Sequence, residues 1–128
     1  MLPACVSRVD MVFNLQRVAL LLQLLQNGEF SLLKHALDDR VHQPYRADRV
    51  PGLREALELQ HRDLLGICLS GSGPSIVAVA ERNLPEIGDL LAGVYQRSGI
   101  ACQLRVLEAH QEQCAGLELS KAGLLCCS

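Results

Sequence analysis

The sequence predicts an α+β domain in which helices pack against a small antiparallel sheet. Two short apolar runs, Leu64–Leu69 and Ile76–Ala80, are joined by a glycine-rich segment, which is typical of two strands around a tight turn. Elsewhere apolar residues recur every three or four positions, which is the period of a helix. With 128 residues, 49% of them hydrophobic and 20% charged, the chain has the composition of one globular domain.

The first helix is predicted to begin at Ser7 and to run to about Gln26. The spacing of Ser7 and Asp10 is that of a capping box, and Asn27-Gly28 ends the helix. One face is apolar at helical spacing, and we expect it to be a core stripe. This stripe consists of Met11, Leu15, Val18, Leu22 and Leu25. Another face carries Asp10, Asn14 and Arg17.

The remaining elements follow from the same periods. A second helix is predicted from about residue 29 to 38, and a third begins at Pro51 and fades near His61. The segment from His42 to Val50 has neither period. A fourth helix follows the capping residue Asn83 and ends at Gly99, and a last strand alternates from Ile100 to Leu107. We therefore place a domain at residues 1–109 and an irregular tail at 110–128.

Composition excludes several classes of function. A formal net charge of −2 and 3% aromatic residues give no footprint for nucleic acid. None of the six cysteines forms a CxxC pair, so no metal site is predicted. No signal peptide opens the chain, and the longest apolar stretch, Val18–Leu25, is too short to span a bilayer. We expect a soluble, cytoplasmic protein without a membrane partner.

Four segments in one order carry a family resemblance. They are D-x-x-x-N-x-x-R at Asp10–Arg17, D-x-x-x-H-Q-P-Y-R at Asp38–Arg46, V-P-G-L at Val50–Leu53 and L-S-G-S-G-P-S at Leu69–Ser75. Together they resemble homoserine kinase, of the superfamily shared with galactokinase and mevalonate kinase, from about Leu2 to Leu107. The combination is specific, because a lone SGSG turn occurs in many proteins.

The resemblance implies both a fold and an activity. The fold is a ferredoxin-like layered domain, an antiparallel sheet with helices on one face. Its first, central strand would precede Leu2-Pro3 and is absent here, which exposes a sheet edge and suggests a homo-oligomer. The activity is transfer of the γ-phosphoryl group of ATP, with Mg²⁺, to the hydroxyl of L-homoserine in threonine biosynthesis. The glycine-rich phosphate loop of the family's amino-terminal domain has no counterpart here, so we expect the isolated chain to be inactive.

The resemblance also implies site residues, without a catalytic residue among them. Arg46 matches the arginine that grips the homoserine carboxylate, a task suited to a guanidinium fork, although a solvated loop arginine is the plain alternative. The family's glycine-rich third motif matches Ser70, Gly71, Ser72, Gly73, Pro74 and Ser75. An ordinary hairpin is the plain alternative there. Asp10, Asn14, Arg17 and His42 are assigned supporting polar roles, although a solvated helix face is the plain alternative for the three residues on the first helix.

A second hypothesis has the same fold but no kinase activity. On this alternative the chain is a non-catalytic, ferredoxin-like module that binds a ligand or dimerises. The two hypotheses differ in whether a glycine-rich phosphate loop is encoded in frame upstream of Met1.

Overall fold

The computed structural model describes residues 2–108 and the backbone of residues 123–127. Five helices and four strands lie in these ranges. In chain order they are α1 (Arg8–Asn27), α2 (Leu33–Ala36), α3 (Gln43–Ala47), α4 (Leu53–Leu57), β1 (Leu64–Leu69), β2 (Ile76–Ala80), α5 (Leu84–Arg97), β3 (Leu104–Glu108) and β4 (Gly123–Cys127). The predicted α+β class with an antiparallel sheet is confirmed.

The sheet has the strand order β1-β2-β4-β3, and every neighbouring pair is antiparallel. Strands β1 and β2 have the predicted bounds, and Leu69 lies opposite Ile76 across the glycine-rich turn. A bulge between Leu64 and Gly66 shifts their register. Strand β3 covers only the second half of the predicted strand from Ile100 to Leu107.

Strand β4 lies inside the sheet, between β2 and β3. Its backbone pairs with Ile76–Ala80 on one side and with Leu104–Glu108 on the other. The prediction of an irregular tail is therefore wrong for residues 123–127, because pairing with strands distant in sequence, rather than a local period, makes them a strand. Residues 109–122 lie outside the described part of the chain. Among the described residues no strand precedes α1, and β4 occupies the inner position beside β2.

The main core lies between the sheet and the helices α4 and α5. On β2, Ile76, Ala78 and Ala80 are fully buried, whereas Val77 and Val79 are half-buried. This alternation means that one face of the strand is covered more completely than the other. The residues that meet the covered face are Leu53 and Ala56 of α4 and Ile87, Leu91 and Val94 of α5.

Helix α1 presents to the solvent the face that the sequence analysis assigns to the core. Met11, Leu15, Val18 and Leu22 are exposed, and Leu24 is the buried residue of this helix. The prediction is wrong because α1 is apolar on two sides, and its period alone does not show which side packs. The side that packs contains the half-buried Phe13 and Leu24 itself, together with the polar residues Asn14 and Arg17.

The other helices differ from prediction mainly in length. Helices α2 and α4 are short, and α3 lies in the segment without a period. Helix α5 begins after Asn83, as predicted, but the prediction that Asn83 caps it is wrong, because this side chain donates to Asp63 over 2.6 Å and forms no cap hydrogen bond. Gly99, beyond the end of α5, has a φ of 69°. The capping of α1 is also confirmed, since the Asp10 amide donates to Ser7 Oγ over 3.1 Å. None of the described helices is long and apolar enough to cross a membrane.

Candidate substrate-binding site

The loop before α3 is organised by one carboxylate. Asp39 accepts hydrogen bonds from the amides of Val41 at 2.8 Å and His42 at 2.9 Å, and from the amide of Gln43. The side chain of Asn14 on α1 also donates to Asp39, over 2.6 Å, and its carbonyl oxygen accepts from the Arg40 amide at 3.0 Å. Asp39 therefore satisfies the free amides at the start of α3, while Asn14 fixes the loop to α1.

The hydrogen bonds decide the charge of Asp39. Burial raises the pKa of the carboxyl group, because it disfavours the charged form. The hydrogen bonds from Asn14 and from the three amides act in the opposite direction and outweigh burial, so the pKa lies below the ordinary 3.8. Asp39 is consequently ionised at neutral pH. Sequence analysis placed Asp38 in the motif and missed Asp39, although an aspartate two to four residues before a helix is a typical turn and cap former.

The first residue of α3 and the segment that follows the helix both contact the glycine-rich turn or the residue before it. The buried amide of Gln43 donates from Nε2 to the Leu37 carbonyl at 3.1 Å and accepts from the Leu69 amide at 2.8 Å. Val50, whose amide donates to the Arg46 carbonyl, lies against Gly73, where an added Cβ would approach Val50 Cγ2 to 3.0 Å. Gln43 is a second positioning residue that sequence analysis missed.

Arg46 lies on α3 between these two attachments. The spacing of Gln43, Arg46 and Val50 places all three on one side of the helical segment, the side whose ends meet the turn. The Nε of Arg46 is buried and has no hydrogen-bond partner, and no ion pair of its guanidinium is formed within the described residues. A buried donor without an acceptor is costly, so an added carboxylate is a favourable partner for this side chain.

The glycine-rich segment is the predicted tight turn between antiparallel strands. The amide of Ser70 donates to the Ser75 carbonyl at 2.8 Å, and that of Gly73 to the Ser70 carbonyl at 3.0 Å. Gly71 and Gly73 have φ values of 56° and 83°, and the Gly73–Pro74 bond is cis. Tyr95 of α5 donates to the Pro74 carbonyl over 3.3 Å. The turn is thus held from both the helix and the sheet side.

The tip of the turn remains open. A Cβ added at Gly71 would have no neighbour within 4 Å, and Ser70, Gly71 and Ser72 are exposed. Within the described residues, the amides of Gly71 and Ser72 donate no hydrogen bond. Two free amides beside serine hydroxyls form a surface that suits an anionic group.

The supporting residues on α1 reach the same loop from the other side. Asp10 forms a 3.9 Å ion pair with Arg40, whose guanidinium carbon lies 3.9 Å from the centre of the Phe13 ring. The guanidinium carbon of Arg17 lies 4.2 Å from the same centre, and its Nε is buried without a partner. Asp10 and Asn14 thus contact the loop, whereas Arg17 shares their face of α1 and lies over Phe13. His42 contributes through its backbone, since its amide donates to Asp39 and its carbonyl accepts from the amides of Tyr45 and Arg46.

A cleft of about 580 Å³ opens between α2, α3, α4 and β1, and the positioning residues Asp39 and Gln43 contribute to its wall. It is lined by charges of both signs, including Lys34, Arg54 and Glu58, and neither Arg46 nor the glycine-rich turn reaches it. Within residues 2–108, no group of three His, Cys, Asp or Glu side chains is placed to hold a metal ion. The candidate site is therefore the surface formed by α3 and the turn.

Comparison with known proteins agrees with this arrangement. The family description "GHMP kinases C terminal" matches residues 21–98, which include α3 and the glycine-rich turn and make up more than half of the chain. The chain belongs to the GHMP kinase C-terminal domain family. The predicted resemblance is confirmed at this level.

Homoserine kinases are among the relatives of this chain. Identity is 44% with the homoserine kinase of Solibacter usitatus over 80% of this chain, and 40% with that of Schizosaccharomyces pombe over 83%. A crystal structure of homoserine kinase from Cytophaga hutchinsonii superimposes with a TM-score of 0.69 at 26% identity, over 75% of this chain. The match covers 34%, 33% and 31% of those proteins, so the chain spans about a third of the length of its relatives.

Proposed function

We propose that this GHMP C-terminal domain is the carboxyl-terminal part of a homoserine kinase and provides part of its homoserine pocket. The observation that carries the proposal is Arg46, a partly buried arginine with an unpartnered Nε, on a helix whose first residue bonds to Leu69 beside the glycine-rich turn. The complete enzyme would transfer the γ-phosphoryl group of ATP to the hydroxyl of L-homoserine. On this proposal it acts in the cytoplasm, in threonine biosynthesis.

Arg46 would bind the carboxylate of homoserine. A guanidinium pairs with a carboxylate through two parallel charge-assisted hydrogen bonds, which fix the orientation of the amino acid as well as its position. Asp39 and Gln43 act through the backbone, because they hold α3 between α1 and the sheet. A rigid support of this kind keeps the substrate hydroxyl in a reactive position.

The open turn would meet the nucleotide side of the site. Bound ATP supplies the phosphoryl group, and the free amides of Gly71 and Ser72 are suited to contact its phosphates or an adjacent loop. No residue of this chain is assigned to Mg²⁺. Because phosphoryl transfer depends on neutralising phosphate charge, and no glycine-rich phosphate loop occurs in the 128 residues, we propose that the isolated chain does not phosphorylate homoserine.

A chimeric enzyme tests the proposal. The portion of the Solibacter usitatus homoserine kinase that precedes its match would be joined ahead of this chain, and ATP-dependent phosphorylation of L-homoserine measured. We expect activity from the chimera and none from the chain alone. The intact Solibacter enzyme is the positive control. A folded chimera without activity, or robust turnover by the isolated chain, would contradict the proposal.

Within an active chimera, Arg46→Ala should raise the KM for homoserine much more than the KM for ATP. Loss of charge-assisted hydrogen bonds of roughly 1.5 to 3 kcal/mol corresponds to about 10- to 100-fold. Arg46→Lys should recover only part of the loss, since it keeps the charge but not the fork. Arg49→Ala is the matched control, because Arg49 is an exposed arginine three residues away. An unchanged KM for homoserine in Arg46→Ala would return this residue to the solvated-loop interpretation.

The second candidate is a module that dimerises or binds a ligand without catalysis. The exposed apolar face of α1 favours the dimerising form, since such faces mark interaction surfaces. Calorimetry of the isolated chain with L-homoserine, together with the chimera assay, separates the candidates. Tight binding by the chain alone with an inactive chimera would favour the module.

A further inference from the structure

Helix α3 has little apolar packing of its own. Of the five residues that the structure describes in this helix, Gln43 alone is buried, and Arg46 and Ala47 are half-buried. Gln43 is 8% exposed, and its side-chain amide bonds to the Leu37 carbonyl and to the Leu69 amide. A segment with few buried apolar side chains has low local stability. The hydrogen bonds of Gln43 therefore contribute much of what holds α3 against the sheet.

The same side chain holds the start of the glycine-rich turn. Leu69 is the last residue of β1, and the next amide, that of Ser70, donates to the Ser75 carbonyl. The Ser70 carbonyl accepts in turn from the Gly73 amide. Gln43 thus fixes the residue directly before Ser70, where both of these hydrogen bonds of the turn meet.

Two states of the domain follow from this arrangement. In the attached state, which the structure shows, the Gln43 side chain is bonded to Leu69 and holds Arg46 in a fixed position relative to the turn. In the detached state this hydrogen bond is broken and α3 separates from β1. Arg46 is then no longer fixed relative to the turn, because the bond that joins their two segments is lost.

Both proposed ligands favour the attached state. The Nε of Arg46 is buried in that state, where a carboxylate forms a stronger hydrogen bond than it would with a solvated arginine. The amides of Gly71 and Ser72, which donate no hydrogen bond within the described residues, stay side by side only while the turn is held at Ser70. Two ligands that prefer the same conformation strengthen each other's binding.

We infer that Gln43 is a positioning residue that couples the amino-acid side of the site to the nucleotide side, an inference that rests on the proposed kinase function. With its hydrogen bond in place the attached state prevails, so each ligand finds its part of the site preformed. Without that bond, the first ligand to bind must draw α3 back to β1, and the second ligand then binds more tightly. Removing the hydrogen bond should therefore increase the coupling between the two ligands.

Calorimetric titration of the Solibacter chimera tests the coupling, with L-homoserine and a nonhydrolysable ATP analogue as ligands. Gln43→Met keeps the length of the side chain and loses both hydrogen bonds. We expect each dissociation constant, measured alone, to rise at least about fivefold, and to return to within about twofold of the wild-type value when the other ligand is saturating. Gln60→Met is the matched control, because Gln60 is an exposed glutamine, and it should change neither constant.

A second variant loosens the attachment without changing Gln43. Val50→Ala removes Cγ2, the atom that lies against Gly73, and should give the same pattern at smaller size. It therefore tests the coupling should Gln43→Met not fold, which circular dichroism checks.

The outcomes separate this inference from the proposed function. A wild-type chimera that binds neither ligand would refute both. In an active chimera, a Gln43→Met variant that weakens homoserine binding alone, or that weakens both ligands without recovery, would show that Gln43 supports the fold without coupling the two sides. Either result overturns the inference, and so do dissociation constants that are unchanged in both variants.

Discussion

At the scale of single residues, Asp39 has a larger structural role than the residues that the motifs single out. Its carboxylate joins α1, the loop and the start of α3, whereas the neighbouring Asp38 is exposed. A motif search does not distinguish two adjacent aspartates. Only the turn geometry, in which the acceptor precedes the amides by two to four residues, distinguishes them.

Replacing Asp39 should destabilise the protein markedly. We expect Asp39→Asn to lower the free energy of unfolding at pH 7 by about 2 kcal/mol, because several charge-assisted hydrogen bonds weaken together. Asp38→Asn, the adjacent control, should change it by less than about 0.5 kcal/mol. Urea denaturation measures both. Equal effects of the two substitutions would contradict the assigned role of Asp39.

The difference in stability between the wild type and Asp39→Asn should also depend on pH. Because the folded protein lowers the pKa of Asp39 below 3.8, its contribution to stability is complete above that value. The contribution is then lost as the pH falls through the lower pKa of the folded state. The stabilities of the wild type and Asp39→Asn should therefore converge as the pH is lowered toward and below that pKa.

Gly73 is a position where the fold requires a residue without a side chain. Its φ is 83°, and an added Cβ would lie 3.0 Å from Val50 Cγ2 and 3.1 Å from Leu69 Cδ1, both on buried residues. Gly73→Ala should cost about 3 kcal/mol from backbone strain and overpacking. Gly71→Ala, with positive φ but open space, should cost only about 1 kcal/mol. Thermal unfolding of both variants tests this, and a larger effect at Gly71 would refute it.

At the scale of elements, local patterns predict only what local interactions determine. The strands β1 and β2 have their predicted bounds because each is a compact apolar run next to a turn that glycine favours. Helix α3 escaped prediction because its start depends on Asp39 and Asn14, and no apolar period marks five residues. Helix α1 was predicted with nearly correct bounds and the wrong buried face, because both faces are apolar.

Strand β4 shows most clearly what local patterns cannot predict, since the strands that it pairs with are far away in sequence. It pairs on both sides within the sheet, and β3 is joined to the sheet through it. Ending the chain at Glu108 should therefore lower the free energy of unfolding by at least about 3 kcal/mol, through lost backbone hydrogen bonds.

Two further variants make this test specific to the strand. Leu125→Pro in the full chain should be similarly destabilising, because proline removes a ladder hydrogen bond from an inner strand. Deletion of Ser128 alone is the control and should leave stability unchanged. Guanidinium denaturation gives the comparison. An unfolding midpoint for the chain ending at Glu108 equal to that of the full chain would show that β4 adds nothing.

At the scale of the whole molecule, the fold assembles the candidate site from segments that are distant in sequence. The family resemblance named Arg46 and the glycine-rich turn as site residues, and in the structure Gln43 and Val50 connect the two segments that carry them. Sequence alone could not show this link, because a glutamine within a polar motif has no sign of burial. Its buried side chain is explained by two backbone partners, which exist only after the loop meets the sheet.

The hydrogen bond between Gln43 and Leu69 has a consequence for local motion. Leu69 lies in the edge strand β1, and its amide is bound by a side chain 26 residues earlier rather than by a strand neighbour. Exchange of that amide proton with solvent therefore requires α3 to separate from the sheet, but not the sheet to open. The NMR signal of the Leu69 amide proton thus reports how often α3, which carries Arg46, separates from the sheet. Equilibrium unfolding does not resolve this local motion.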